Sequence, residues 1–237
     1  MEFVLVHGGL HGSWCFELLE RELRGRGHRT LAVDMPIDEP GKTVEDYAEV
    51  VSTAMAGQVS EAAWVVGHSL GGFVIPRVAL EREVGGLLYL CAGLPPRNEA
   101  EHRANVEAYS ASDPPEYCWD EQERMTMSPE WAARFFYSDC TPDLQAWAAA
   151  KLRPQWVGAF RDFEPIAGWP DVPVRAILTT EDAMLDCARY RTLFQDRIGV
   201  TSAELPGSHS PFLSQPAALA RLMHELAGSA ESWDSTP

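Results

Sequence analysis

The sequence predicts an α/β protein in which helices cover both faces of a mainly parallel sheet, and three observations carry this prediction. Six short apolar runs recur along the chain, helical patterns fill most of the intervals between them, and the third run ends in a glycine-rich loop that leads into a helical pattern. Runs that are apolar at nearly every position are typical of strands buried on both faces. The predicted strands are Phe3–Val6, Thr30–Val33, Ala63–Val66, Leu87–Cys91, Val174–Leu178 and Ser202–Leu205.

Five of the intervening segments have the apolar spacing of amphipathic helices. Thr43 stands directly before one of them, where its hydroxyl can accept a hydrogen bond from the first helical turn. The alternation of strands and helices predicts the α/β class. The predicted helices are Trp14–Arg26, Val44–Gln58, Phe73–Glu81, Ala188–Arg197 and Ala217–Ala227.

The interval 95–168 interrupts this alternation, because it contains no clear strand pattern. It contains two helix starts instead, Ser128-Pro129 and Thr141-Pro142, in which a capping residue precedes proline at the first helical position. We therefore predict a helical cap at 95–168, inserted over the carboxyl edge of the sheet, and an α/β core made of residues 1–94 and 169–237.

Composition limits the partners and the compartment. The chain of 237 residues has a net charge of −16 and only two lysines, so nucleic acids and anionic membranes are not expected as partners. No apolar run approaches the ~18–20 residues that a membrane span needs. The five cysteines are scattered, without a Cys-x-x-Cys pair, which favours a reducing compartment over a disulfide framework or structural zinc. Strand-like sequence begins at Glu2, so we expect no signal peptide and a cytoplasmic protein.

The glycine-rich loop after the third predicted strand reads Gly67-His68-Ser69-Leu70-Gly71-Gly72. A serine on a sharp turn between strand and helix needs neighbours without side chains, and the glycines provide that space. The sequence therefore predicts that Ser69 is a nucleophile on an elbow at the edge of the sheet. A phosphate-binding loop fits worse, because Phe73 and Val74 stand where lysine and a hydroxyl residue are required. A glycine-rich turn with an incidental serine remains the plain alternative.

A serine nucleophile needs a base, and the base needs an acid that orients it. Among seven histidines, His209 alone lies in a loop directly after the last predicted strand, at the same sheet edge as Ser69. Asp182, directly after the preceding strand, is the predicted acid, with Glu181 and Asp186 as neighbouring alternatives. The predicted order Ser69, Asp182, His209 is the order expected when a serine elbow lies on a parallel sheet of this kind.

An oxyanion would need two N–H donors near Ser69. The amide of Leu70, which follows the nucleophile, is one candidate. Gly9, in the glycine-rich loop after the first strand, is the other, because its backbone can approach a substrate closely. A metal site at His7 and His11 is disfavoured, since a four-residue spacing suits a metal only on a helix. We predict neither a metal nor a cofactor.

These motifs, taken together, resemble the small α/β-hydrolases of the plant methylesterase and hydroxynitrile lyase group. The resemblance covers nearly the whole chain and implies an α/β-hydrolase fold whose sheet begins at the strand before His7. It also implies that the cap residue Trp119 lies in the substrate pocket. The chain departs from the lyases, which carry threonine at the position of Gly8 and lysine at that of Ser210. The motifs are Val4-Leu5-Val6-His7-Gly8-Gly9, Trp14, Gly67-His68-Ser69-Leu70-Gly71-Gly72, Leu178-Thr179-Thr180-Glu181-Asp182, His209 and the segment Arg134–Cys140.

The sequence thus predicts a cofactor-free serine hydrolase, monomeric or dimeric, that cleaves small, neutral, largely apolar carboxylic esters. A thioesterase, lactonase or cyclase of the same fold, acting on a secondary metabolite, remains open because the same three residues serve all of them. A nucleotide-dependent oxidoreductase fits worse, since glycines 8, 9 and 12 do not match Gly-x-Gly-x-x-Gly. A silent ligand receptor on this fold also remains open.

Overall fold

A computed structural model describes residues 1–108, 116–161, 165–166 and 168–229. The strands in these ranges are β1 Glu2–Val6, β2 Arg29–Val33, β3 Trp64–His68, β4 Gly86–Leu90, β5 Tyr117–Trp119, β6 Arg124–Met127, β7 Gln155–Trp156, β8 Val174–Thr179 and β9 Ala203–Leu205. The helices are α1 Glu17–Gly25, preceded by a 3₁₀ turn at Ser13–Phe16, α2 Val44–Met55, α3 Gly71–Glu81, α4 Glu99–Ala108, α5 Pro129–Phe135, α6 Pro142–Ala149, α7 Gly158–Arg161, α8 Cys187–Ile198, α9 Pro211–Ser214 and α10 Pro216–Gly228.

Six of the strands in the described ranges form one sheet in the order β2-β1-β3-β4-β8-β9, and all neighbours are parallel. Strands β3 and β4 are buried along their whole length, as their unbroken apolar sequences predict. Strand β9 lies at the edge and is only partly buried, which explains its less apolar sequence. The predicted α/β class, a parallel sheet with helices on both faces, is confirmed.

The strand order determines which face each helix covers. The chain steps from β1 outward to β2 through α1 and then crosses back over β1 to β3 through α2. Because such crossovers are right-handed, α1 covers one face of the sheet, whereas α2 and α3 cover the other. Helix α10 packs against α1 on the first face. Thr43 caps α2, as the sequence predicts, and the structure adds a reciprocal hydrogen bond from the Thr43 amide to Asp46.

The reversal of strand order also creates the crevice of the molecule. Strand β1 lies between β2 and β3, so the connections that follow β1 and β2 depart in opposite directions. Ligands of open parallel sheets bind at such a switch point, beyond the carboxyl ends of the strands. The loop after β1, residues 7–12 (hereafter the first loop), and the loop after β3 that holds Ser69 both begin at this edge.

The interval 95–168 contains more than the predicted helices. Helices α5 and α6 begin after Ser128 and Thr141, each with proline at the first helical position, as the sequence predicts. The expectation that this interval contains no strand is wrong, because β5, β6 and β7 form a small antiparallel sheet. These strands are two to four residues long, too short to produce a detectable alternation. Helix α4 was also not predicted.

All strands of the parallel sheet lie within 1–94 and 169–237, whereas α4 to α7 and the antiparallel sheet lie within 95–168. We call this second region the cap; its boundaries as a separate lobe stay a prediction. None of the helices in the described ranges combines the length and apolar character that a membrane span requires.

Candidate active site

Ser69 lies between β3 and α3 in a left-handed conformation, with φ at 50°. This backbone conformation is uncommon outside glycine and marks a sharply turned chain. Steric contact requires glycine on both sides of this turn. A Cβ on Gly67 would fall 2.6 Å from the Gly71 carbonyl oxygen, and a Cβ on Gly71 would fall 2.6 Å from the Val6 carbonyl oxygen. The strand, the turn and the helix can therefore pack this closely only with glycine at both positions.

The structure brings His209 and Asp182 together. Nδ1 of His209 and Oδ2 of Asp182 are 2.7 Å apart, and both side chains are about 1–2% exposed. The other carboxylate oxygen of Asp182 accepts hydrogen bonds from the amides of Met184 and Leu185, at 2.8 and 3.0 Å. A carboxylate held by two backbone amides beside a buried imidazole keeps a fixed orientation, so the ring is held with Nδ1–H toward Asp182.

The two alternative acids have different positions. Asp186 is the N-cap of α8, where its carboxylate accepts from the Arg189 amide at 3.1 Å. Glu181 precedes Asp182, and its backbone amide donates to the Gly207 carbonyl oxygen at 3.0 Å. Of the three carboxylates, only Asp182 is hydrogen-bonded to His209.

Nε2 of His209 is buried and has no hydrogen-bond partner among the described residues. Since Nδ1 donates to Asp182, Nε2 carries the lone pair. His209 and Ser69 line the same cavity. The Phe136 ring stacks on the imidazole, with centroids 5.8 Å apart and planes at 29°.

His68 contacts the His209 ring, a contact that sequence reasoning missed. Its ring centroid is 4.7 Å from that of His209, and its Nε2–H donates to the His209 carbonyl oxygen at 2.9 Å. The pKa of His68 lies well below its usual value, first because the ring is buried and then because of His209. His68, the residue directly before Ser69, thus fixes the backbone of His209. The sequence signal that could have suggested this contact is the histidine directly before the serine in the glycine-rich loop.

The amides of Gly9 and Leu70 are the two predicted oxyanion donors, and neither donates a hydrogen bond to another group within the described ranges. Both residues line the cavity beside Ser69. The peptide before Gly9 is fixed by His7, whose Nδ1–H donates to the Gly8 carbonyl oxygen at 2.8 Å while Nε2 accepts from the Met35 amide at 3.0 Å. In a trans peptide the N–H points opposite to the C=O, so this bond orients the Gly9 amide.

His7 and His11 do not converge on a common point for a metal. Burial lowers the pKa of His7 to about 4, and its ring binds the Gly8 carbonyl oxygen and the Met35 amide. His11 binds the Gly9 carbonyl oxygen instead. In the described part of the chain, no three histidine, cysteine or carboxylate side chains are grouped as metal ligands would be.

A cavity of about 320 Å³ lies beside Ser69 and His209. Most of its lining is apolar, and residues from both the core and the cap contribute. The described residues that line it are Gly9, Leu10, His11, Val44, His68, Ser69, Leu70, Phe73, Arg77, Pro96, His102, Asn105, Tyr117, Met125, Phe136, Gln155, Ala159, Met184 and His209.

The prediction that Trp119 lies in the pocket is wrong. Trp119 ends β5 at the turn that leads to β6, where its side chain is 58% exposed, and it does not line the cavity. Tyr117, two residues earlier on the same short strand, lines the cavity instead. The turn at the end of β5 leaves the last side chain of the strand in solvent, which sequence spacing alone does not reveal.

A buried His–Asp pair and a serine elbow at the carboxyl edge of a six-stranded parallel sheet define the α/β-hydrolase class of fold. The chain matches the alpha/beta hydrolase family over residues 3–222 and therefore belongs to it. This membership confirms the resemblance found in the sequence.

Two curated relatives are similar over almost their whole length. Salicylic acid-binding protein 2 of Nicotiana tabacum is 28% identical over an alignment of 256 residues, gaps included, that spans 95% of this chain and 96% of the relative. A probable esterase of Oryza sativa subsp. indica is 28% identical over 258 residues, with the same coverage.

Solved structures support the fold. Polyneuridine aldehyde esterase superposes with a TM-score of 0.79 at 22% identity and covers 95% of this chain and 98% of its own. A pyrethroid hydrolase from Sphingobium faniae JZ-2 superposes with a TM-score of 0.76 at 23% identity, covering 98% and 99%. At these identities the superpositions establish a shared fold.

Proposed function

We propose that this protein is a serine hydrolase of carboxylic esters, with Ser69 as nucleophile, His209 as base and Asp182 as the acid that orients the base. One observation carries the proposal: His209 is paired with the buried Asp182, and its Nε2 has no partner among the described residues in the cavity that Ser69 lines. The names of similar proteins, among them esterases and a methylesterase, support the same chemistry.

The reaction begins with attack of Ser69 Oγ on the ester carbonyl carbon, while Nε2 of His209 accepts the serine proton. Asp182 holds the imidazole tautomer and stabilises the imidazolium that forms. The amides of Gly9 and Leu70 donate to the oxyanion of the tetrahedral intermediate. His209 then protonates the leaving alcohol, and water, activated by the same base, releases the acid from Ser69.

The cavity favours compact, largely apolar esters without a net charge. The cavity has apolar walls, formed in part by Leu10, Val44, Leu70, Phe73 and Met125. Among the described lining residues the arginine is Arg77, whose Nη1 donates to the Phe73 carbonyl oxygen at 2.8 Å while its Nε binds the Glu45 carboxylate. The net charge of −16 disfavours anionic substrates at long range.

This substrate class predicts a definite order of rates across p-nitrophenyl esters. We expect kcat/KM to be highest for short or aromatic acyl groups and to fall for chains beyond about twelve carbons, which exceed what a cavity of this size encloses. An analogue of matched length with a terminal carboxylate should react more slowly than its neutral counterpart. Steady-state kinetics at fixed ionic strength test this. A preference for the longest chains or for the anionic ester contradicts the pocket interpretation, and uniformly feeble turnover favours a metabolite-specific reaction instead.

We also expect no efficient cleavage of cyanohydrins. The lyases of the similar group carry threonine and lysine where this chain has Gly8 and Ser210. A Cβ on Gly8 would fall 2.8 Å from both the Cβ of Ser69 and Nδ1 of His68, so a threonine does not fit unless these neighbours shift. Ser210 is fully buried and supplies no cation. Cyanide release from mandelonitrile should therefore equal the background rate, and rapid release that Ser69→Ala abolishes is the contradicting result.

A further inference from the structure

One turn of the cap, residues 136–139 (hereafter the cap turn), contacts both loops that would carry the chemistry. Its Tyr137 reaches the first loop, and its Asp139 reaches the loop at residues 206–211 (hereafter the histidine loop), which holds His209. We propose that Tyr137 and Asp139 are positioning residues, which fix the oxyanion donor Gly9 and the base His209 from the cap. This inference rests on the ester hydrolase function proposed above.

Tyr137 acts on the first loop through His11. Tyr137 is fully buried, and its hydroxyl donates to Nε2 of His11 at 2.8 Å. Nδ1–H of His11 donates in turn to the Gly9 carbonyl oxygen at 2.7 Å. A carbonyl oxygen only accepts, so Nδ1 carries the proton and Nε2 accepts from the tyrosine. Burial lowers the pKa of His11 to about 3, and the ring therefore stays neutral in this tautomer near pH 7.

The hydrogen bond from His11 holds the carbonyl side of the peptide between Gly9 and Leu10. A second cap residue holds the N–H side of the same peptide. The N–H of that peptide belongs to Leu10 and donates to Oε1 of the buried Gln155 at 3.3 Å. Leu10 has a φ of 63°, a conformation that persists only where its surroundings enforce it. His7 fixes the peptide that contains the Gly9 N–H, so the Gly9 Cα lies between two fixed peptide planes, the second of which depends on the cap.

Asp139 acts on the histidine loop at the residue before the base. One of its carboxylate oxygens accepts from the Ser208 amide at 3.1 Å, and the other accepts from the Ser208 hydroxyl. The contact is close, because a Cβ on Gly207 would fall 2.5 Å from Oδ2 of Asp139, and Gly207 has a φ of 115°. The stacking of Phe136 on the His209 ring adds a third contact between the cap turn and this loop.

These contacts reach loops that follow strands on opposite sides of Ser69 in the sheet, β1 and β9. Packing of the cap against the core would need apolar contact only, yet the cap turn contributes a buried hydroxyl and a carboxylate, each directed at a loop with proposed catalytic groups. A misplacement of about 1 Å in such groups can cost on the order of 10²-fold in rate. The expected effect of losing either contact is therefore on kcat.

Tyr137→Phe tests the first contact, because it keeps the ring and removes one hydroxyl. We expect kcat to fall roughly 10- to 100-fold, up to the lower end of the loss from deleting an oxyanion donor, with KM within twofold. Affinity for a trifluoromethyl ketone, which forms a tetrahedral adduct with the serine, should fall in parallel, whereas affinity for the matching methyl ketone should not. Tyr89→Phe is the control, since Tyr89 is also fully buried, lacks a hydroxyl partner in the described ranges and does not line the cavity.

Asp139→Asn and Asp139→Ala test the second contact, with Asp143→Asn on α6 as an exposed control in the same cap. Asparagine keeps one acceptor, so we expect it to retain more of kcat than alanine does. Ser208→Ala should not add to the loss in the Asp139→Ala background, because residues of one contact are not additive. Additive losses would mean that Asp139 acts elsewhere.

The outcomes separate this inference from the function on which it rests. If wild-type protein neither turns over esters nor is labelled at Ser69 by a fluorophosphonate, the proposed function fails and the inference with it. If wild-type protein is active and both variants keep its kcat, or if both ketones lose affinity equally, the positioning role alone is overturned. Should Tyr137→Phe not fold, as judged by its Tm, the Asp139 variants decide, because that carboxylate is exposed.

Discussion

Replacing Ser69 by alanine is expected to lower kcat for a good ester substrate by roughly 10³- to 10⁶-fold, the range found when a member of a catalytic triad is removed. The substitution removes one oxygen and keeps the Cβ, so the tight approach of the elbow to its glycine neighbours is unchanged. The left-handed backbone at this position is no more strained with alanine than with serine, and Tm should stay within a few degrees of wild type.

Two measurements check this result. Single-turnover kinetics with a p-nitrophenyl ester should show no burst in Ser69→Ala, and a fluorophosphonate probe should label a peptide containing Ser69 in the wild-type protein only. Ser202→Ala is the control, because the Ser202 hydroxyl is buried, has no partner in the described ranges and lies outside the cavity. Near-normal turnover by Ser69→Ala, with no probe adduct in the wild type, would contradict the mechanism.

The elbow could be predicted from the sequence because its determinants are local. A buried strand, a turn with glycine at fixed positions and the start of a helix lie within ten residues, Trp64 to Phe73, and steric contact decides each glycine. The site of His209 was predictable for a related reason, since it follows the last strand of the sheet. Asp182 could only be preferred over its neighbours, because all three carboxylates lie within six residues, at 181–186. The structure distinguishes two of them: the Asp186 carboxylate caps a helix, whereas the Asp182 carboxylate accepts hydrogen bonds from two backbone amides.

The cap was less predictable because its contacts are distant in sequence. Tyr137 reaches His11 across 126 positions, and Asp139 reaches Ser208 across 69. In the sequence both belong to a polar and aromatic run that looks like ordinary cap packing. Trp119 illustrates the opposite error: a large aromatic residue in the cap suggests a pocket wall, yet the end of β5 leaves it exposed. Tyr117 and Trp119 lie on the same face of β5, so which of them reaches the cavity depends on where the strand ends, and residue patterns of this length do not encode that.

Asp182→Asn is expected to lower kcat on the order of 10⁴-fold while leaving the fold intact, the loss known for the same change in a serine–histidine–aspartate triad. The structure provides the reason. The Met184 and Leu185 amides both donate to Oδ1, so the asparagine oxygen would keep that position and its NH₂ group would face Nδ1 of His209. Nδ1 would then have to accept, which puts the imidazole proton on Nε2 and leaves no lone pair to receive the serine proton.

Asp186→Asn is the matched control for this change. Asparagine caps a helix about as well as aspartate, so α8 should keep its first turn, and kcat should stay within about threefold of wild type. Both variants should be compared by kcat for one ester and by Tm, so that a loss of rate can be separated from a loss of fold. A larger loss in Asp186→Asn than in Asp182→Asn would transfer the orienting role to Asp186. Equal, small losses in both would mean that His209 keeps its tautomer without a carboxylate, and the proposed triad would reduce to Ser69 and His209.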